Sequence, residues 1–221
     1  MATGATADDA ASLAVAGHFI RSLESADHAR APFDHWLLAD ALPQKAIDGI
    51  VNLPVAPPHE AAFNGTREIN NSSRLFFTPR LQRRHPVCRE IADAFRDREV
   101  VRALEDRTGA RLARGRLRIE YCQDITGFWL APHLDISVKL FTMLIYLSGE
   151  PELRDAGTDI YDASPEHKPV ATVPYEKGKG LIFIPGSNTW HGFTQRPIGG
   201  VRKSIIVNYV TRDWRSIDEL A

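Results

Sequence analysis

Only two cysteines occur in the 221 residues, Cys88 and Cys122, and no Cys-X-X-Cys spacing joins them. A disulfide framework and a thiolate metal cluster are thereby excluded, and a reducing cytoplasm is the expected setting. Long apolar runs are also lacking: none approaches the roughly 18 residues that span a bilayer, and Asp8 and Asp9 stand where an export leader needs positive charge. Nor does charge of one sign dominate, since 27 basic residues face 28 acidic ones for a net charge of -1. Such a balance gives no global pull toward nucleic acid or an anionic membrane. Arg111, Arg114, Arg116 and Arg118 form the one basic cluster, but without interleaved aromatics they read as a solvated edge. A small-molecule substrate is therefore expected ahead of a protein partner, and nothing here fixes an oligomeric state. No internal repeat is present.

What the chain does have is an ordinary globular composition, 43% hydrophobic and 25% charged, which suits one domain over residues 1–221. Residues 1–10 are too poor in apolar area to offset ordering entropy, so a disordered start is expected. Residues 11–116 read mainly as helical support and substrate loops. A helix is predicted over Ala10–Leu23, a strand over Pro32–Leu38, and a helix opened by Pro43 that runs through Leu53. A Pro-rich loop then leads to a strand over Leu75–Thr78 and another loop, and Pro86 opens one or two helices that end near Gly109.

From residue 117 to 211 the character is β: Leu117–Cys122, Leu140–Leu147, Thr158–Tyr161, Leu181–Ile184 and Ser204–Val210 are β-branched and aromatic runs between Gly and Pro turns. The fold expected is α+β, mainly β: a sandwich or jelly roll buttressed by N-terminal helices, not alternating parallel units.

Within that half, Pro132-His133-Leu134-Asp135 sets an imidazole and a carboxylate two residues apart, on one side of an extended strand. His191 follows the Leu181–Ile184 strand and its Pro185-Gly186 turn, and supplies a third ligand. Two imidazoles and one carboxylate leave half of an octahedron open, which suits iron(II) that must also bind a chelating co-substrate and dioxygen. Shortly after His191 come Arg202 and Ser204, which share a strand face. A forked guanidinium and a hydroxyl suit a carboxylate.

His133-Leu134-Asp135, His191 and Arg202-Lys203-Ser204 together resemble the His-X-Asp, His and Arg-X-Ser signature of the 2-oxoglutarate-dependent oxygenases. The resemblance covers about residues 117–209, is nearest to the prolyl-hydroxylase-like branch, and implies a double-stranded β-helix, the cupin-like jelly roll. It further implies Fe(II) held by His133, Asp135 and His191, and 2-oxoglutarate held by Arg202, Ser204, Tyr146 and Tyr121, with ascorbate as an accessory reductant. No catalytic residue beyond the metal ligands is implied. The reaction expected is hydroxylation of an unactivated carbon with release of succinate and carbon dioxide. Halogenases of this fold carry a small residue in place of the carboxylate ligand, so Asp135 argues against that chemistry.

Substrate contacts are expected from Arg67, Asn71 and Arg74, in a segment dense in directional hydrogen-bond groups, and from Asn208, whose parity matches Arg202 and Ser204. Trp129 and Trp190 flank the ligand segments as pocket walls or core. Lys139 follows the motif closely and could neutralise a carboxylate, but reads first as a solvated strand-end lysine, and most of the six other histidines read as structural or solvent-facing. Three functions compete: a hydroxylase of a small metabolite, a protein hydroxylase of prolyl type, and a metal-binding jelly roll without turnover.

Overall fold

The computed structural model describes residues 7–59, 65–66 and 74–221. Helix α1 (Ala7–Glu24) leads into strands β1 (Asp27–Ala29) and β2 (His35–Leu38), then α2 (Gln44–Val51) and β3 (Arg74–Phe76). Three helices follow, α3 (Pro79–Arg84), α4 (Pro86–Arg96) and α5 (Arg98–Thr108). The remainder is β: β4 (Arg116–Asp124), β5 (Leu130–His133), β6 (Lys139–Tyr146), β7 (Asp159–Tyr161), β8 (Pro169–Thr172), β9 (Gly180–Phe183), β10 (His191–Phe193) and β11 (Arg202–Val210).

Local chemistry sets the helix ends. Thr78 Oγ1 accepts from Leu81 N at 3.3 Å ahead of Pro79 in the first turn of α3. Asp97 accepts from Glu99 N at 2.7 Å to open α5, and Gly109, at φ 76°, closes it in the left-handed region. Four expectations are corrected here. Regular helix begins at Ala7, earlier than the expected disordered start allows. The strand over 32–38 is confined to its last four residues, because the partner strand β9 ends at Phe183 opposite His35 and Pro32 itself offers no ladder donor. Helix α3 occupies what reads as a loop, since Leu81 alone of its residues is a large apolar side chain. The N-terminal half also contributes one strand beyond those expected, β1, which joins the larger sheet with β2 and β3.

That sheet runs β1-β2-β9-β6-β11-β4-β3, and a smaller one runs β5-β10-β7-β8. Every pairing is antiparallel, and the two sheets make a jelly roll with the helices on the outer face of the larger one. Central β11 pairs with β4 and β6 along its length, and its side chains alternate. Ile205, Val207 and Tyr209 join the helix-side core with Phe19, Ile91, Phe95 and Leu104. Phe19 and Phe95 meet edge to face at 4.9 Å, and full burial of such a ring contributes about 2 kcal/mol. On the inner face Ile206 joins Leu144, Tyr146, Phe183 and Phe193.

The rest of that inner wall is polar. Arg118, Glu120 and Asp124 of β4 and Arg202, Ser204 and Asn208 of β11 are all buried. Burying six polar side chains between two sheets is unfavourable unless each is matched, so the wall marks where the fold departs from pure packing.

Candidate metal centre

Strands β5 and β10 bring the two imidazoles together. His133 and His191 are register partners, with ring centroids 4.3 Å apart. Each ring is fixed in the same way: Nδ1 of His133 donates to Ala131 O at 2.9 Å, and Nδ1 of His191 to Thr189 O at 2.9 Å. A carbonyl can only accept, so Nδ1 carries the hydrogen in each ring, and Nε2 is the nitrogen that offers a lone pair in the neutral form. Burial, with His133 beside it, pushes His191 down to about 4, which leaves a neutral ligand at neutral pH.

Asp135 lies two residues past the end of β5, so strand alternation alone does not aim it. Its position comes from Lys139 Nζ, 2.5 Å from Oδ1, and Thr142 Oγ1, which donates to Oδ2 at 2.5 Å. Burial acts to raise the Asp135 carboxyl, but the Lys139 ammonium, His191 and the Thr142 hydroxyl hold it well below the usual carboxylate range. One ligand atom from each of His133, Asp135 and His191 falls within 4.8 Å of the others. Lys139 is thus no solvated lysine: its side chain is 15% exposed and paired with a metal-ligand candidate.

Behind Asp135 runs a chain of hydrogen bonds. Asn208 Nδ2 donates to Thr142 Oγ1 at 2.9 Å, and Arg118 Nη1 donates to Asn208 Oδ1 at 3.3 Å. Arg118 also pairs with Glu120 at 3.0 Å and Glu219 at 2.7 Å, and lies over Phe76 and Trp214. Read as part of a solvated edge, Arg118 is instead buried, because its strand parity turns it inward. Arg74 meets Glu120 at 3.2 Å, so Arg74 and Asn208 stand on one wall. Arg67 and Asn71 lie outside the described residues.

At the other end of the inner wall, Arg202 is held by Asp124 and by Ala156 O. Its strand neighbour on that face, Ser204, is fully buried and its Oγ has no hydrogen-bond partner. Tyr146, directly opposite Ser204 in the β11/β6 register, donates its hydroxyl to Thr158 Oγ1 at 2.9 Å and accepts from Thr158 N at 3.0 Å. Tyr121 does not join this group. It faces Ile205 and packs into the helix-side core, one position out of phase with Cys122, which lies opposite Ser204. Trp129 packs on Gly65, where a Cβ would sit 2.3 Å from the indole, and Trp190 stacks on His167 with ring centroids 3.7 Å apart.

The space among His133, Asp135, His191, Thr158 and Arg202 is a narrow cavity of about 40 Å³. A groove of about 650 Å³ lies beside α5 and the chain's end, on the helix side, and none of the three ligand candidates lines it. The chemistry therefore assigns the site, and size does not. Two imidazoles and a carboxylate, with no fourth member in their group among the described residues, fit iron(II) with open positions. The orphaned Ser204 hydroxyl beside a guanidinium fits one oxygen of an anion.

No family model and no curated protein matches the sequence. Solved structures do match in fold. A Pseudomonas putida prolyl-4-hydroxylase aligns with 90% of this chain and 99% of its own, at TM-score 0.55 and 15% identity. A Trichoplax adhaerens prolyl hydroxylase, in complex with a hypoxia inducible factor peptide fragment, aligns with 91% of this chain and 90% of its own, at 0.57 and 14%. A viral collagen prolyl hydroxylase from Paramecium bursaria Chlorella virus-1 covers 80% of this chain and 88% of its own, at 0.51 and 15%. The chain has the jelly-roll fold of the prolyl hydroxylases.

Proposed function

We propose that this protein is an iron(II)- and 2-oxoglutarate-dependent hydroxylase, with His133, Asp135 and His191 as metal ligands. The observation that carries the reading is the pair of imidazoles whose Nδ1 atoms are each tied to a carbonyl, with one ligand atom of each ring and of the Asp135 carboxylate within 4.8 Å of one another. When bound, iron(II) supplies open coordination positions at which a 2-oxo acid and dioxygen react, giving succinate, carbon dioxide and a hydroxylated carbon.

The chain's own residues do the rest. The carbonyls of Ala131 and Thr189 orient the imidazoles, and Thr142 and Lys139 hold Asp135 charged and aimed. Arg202 and Ser204 receive the far carboxylate of 2-oxoglutarate, and Tyr146 walls that end. Burial of His191, Arg202, Ser204 and Tyr146 limits the access of bulk water to this end of the site. Arg74 and Asn208 are the substrate-side candidates among the described residues.

A small metabolite as substrate draws no support from the similar folds, whose names are those of prolyl hydroxylases. A prolyl-type peptide fits the site equally well, and a prolyl peptide is the first substrate to try. The test is succinate release from 2-oxoglutarate with and without proline-containing peptides and with a panel of small metabolites. Stimulation by a peptide, with an added oxygen in its mass, selects the prolyl reading, and stimulation by a metabolite alone selects the other. The absence of succinate under every condition, with iron bound, would leave a metal-binding jelly roll without turnover.

A further inference from the structure

Arg202 already has a carboxylate. It stands opposite Asp124 in the β11/β4 register, and its Nη1 meets Asp124 Oδ2 at 2.6 Å with both side chains 3% exposed. Nε donates to Ala156 O at 2.7 Å, and Nη2 to Thr158 Oγ1 at 3.4 Å. The rings of Phe193, Tyr146 and Tyr175 lie 5.2, 5.6 and 5.8 Å from the guanidinium carbon. The nearby Arg196, itself over Phe193, is likewise matched by Asp159 at 2.6 Å. This end of the cavity is therefore electrically balanced before any ligand arrives. Its orphaned donor among the described residues is the Ser204 hydroxyl.

We propose that Asp124 is an internal competitor for the far carboxylate of the co-substrate, and so sets which 2-oxo acid the site accepts. The inference rests on the 2-oxoglutarate reading above and goes beyond it. A second carboxylate at Arg202 would share one guanidinium with Asp124 in a pocket poor in water, where like charges oppose each other. A 2-oxo acid of the same length with an uncharged tail meets no such opposition. The native chain therefore discriminates weakly between 2-oxoglutarate and 2-oxopentanoate. Asp124→Asn keeps the side-chain shape, removes the competing charge and favours the dicarboxylate.

The test is calorimetric titration of the full chain, loaded with Mn(II) under anaerobic conditions so that no turnover occurs, with each of the two acids. The expected result is that the native dissociation constants agree within about tenfold, and that Asp124→Asn binds 2-oxoglutarate about tenfold tighter with 2-oxopentanoate little changed. A native preference for 2-oxoglutarate of about a hundredfold or more overturns the proposal. So does a folded Asp124→Asn variant that binds 2-oxoglutarate no tighter than the native chain, because Asp124 would then only position Arg202. Where circular dichroism shows that the variant has not folded, the native ratio alone decides. If Mn(II)-loaded native protein binds neither acid, the co-substrate reading itself falls and takes this inference with it.

Discussion

Asn208 reaches Asp135 through a single hydroxyl: its amide donates to Thr142 Oγ1 at 2.9 Å, and that oxygen donates to the carboxylate at 2.5 Å. Groups of this kind around a metal ligand tune affinity by about 10–100-fold. Thr142→Val removes the donor to Asp135 while keeping its shape, and should weaken binding of Fe(II) or Co(II) by about tenfold. Asn208→Ala should have a smaller effect of the same sign. Metal titrations of the two variants check the order, and equal affinities to the parent would show that Asp135 is oriented without this chain.

Lys139 plays a different part. Its ammonium matches Asp135 in the metal-free chain, so Lys139→Met leaves a buried carboxylate without a countercharge. The metal-free variant should lose about 1–3 kcal/mol of stability. Added metal restores the countercharge, so the rise in thermal midpoint on adding Co(II) should be larger in the variant than in the parent. A smaller rise would mean that Lys139 assists metal binding and does not stand in for the metal.

Asp159 gives a stability prediction independent of the metal. Burial acts to raise its carboxyl, but the Arg196 guanidinium, the Thr194 backbone N–H and the Thr172 hydroxyl hold it below its ordinary value. A depressed carboxyl contributes stability above its unfolded pKa of about 3.9, and that stability is lost as pH falls through the folded value. In Asp159→Asn the thermal midpoint should be lower at pH 7, and its fall below about pH 4 should be shallower. Parallel pH curves for the two proteins would contradict this.

The grouping of His133, Asp135 and His191 was legible in the sequence because residue type, order and spacing carry it. Arg202 and Ser204 were legible because two residues on one strand share a face wherever the strand pairs. Asp124 was not, since its role depends on which residue of β4 stands opposite Arg202, and register is a tertiary property. Tyr121 failed for the same reason: a shift of one position sends a side chain to the other face, and β4 turns Cys122 and Asp124 inward and Tyr121 toward the helices. Strands β5, β8 and β10 have three or four residues each, too few to announce themselves by alternation. Lys139 and Thr142 lie in plain view after the His-X-Asp triplet, but the chain must curl back past Asp135 before either can reach its carboxylate.

That shift of face can be tested. Tyr121→Phe should leave the affinity for 2-oxoglutarate within about twofold of the parent, whereas Arg202→Ala should weaken it by about a hundredfold. Binding to Mn(II)-loaded protein measures both. A large loss in Tyr121→Phe would mean that the hydroxyl acts on the inner pocket from the helix side.

The most direct measurement is anaerobic titration of the metal-free protein with Fe(II) and then 2-oxoglutarate, watched for the weak visible charge-transfer absorption of an iron-bound 2-oxo acid. The account predicts that the band appears only when both are present and is absent in His191→Ala. No band at saturating Fe(II) and millimolar 2-oxoglutarate, or an undiminished band in His191→Ala, would contradict it.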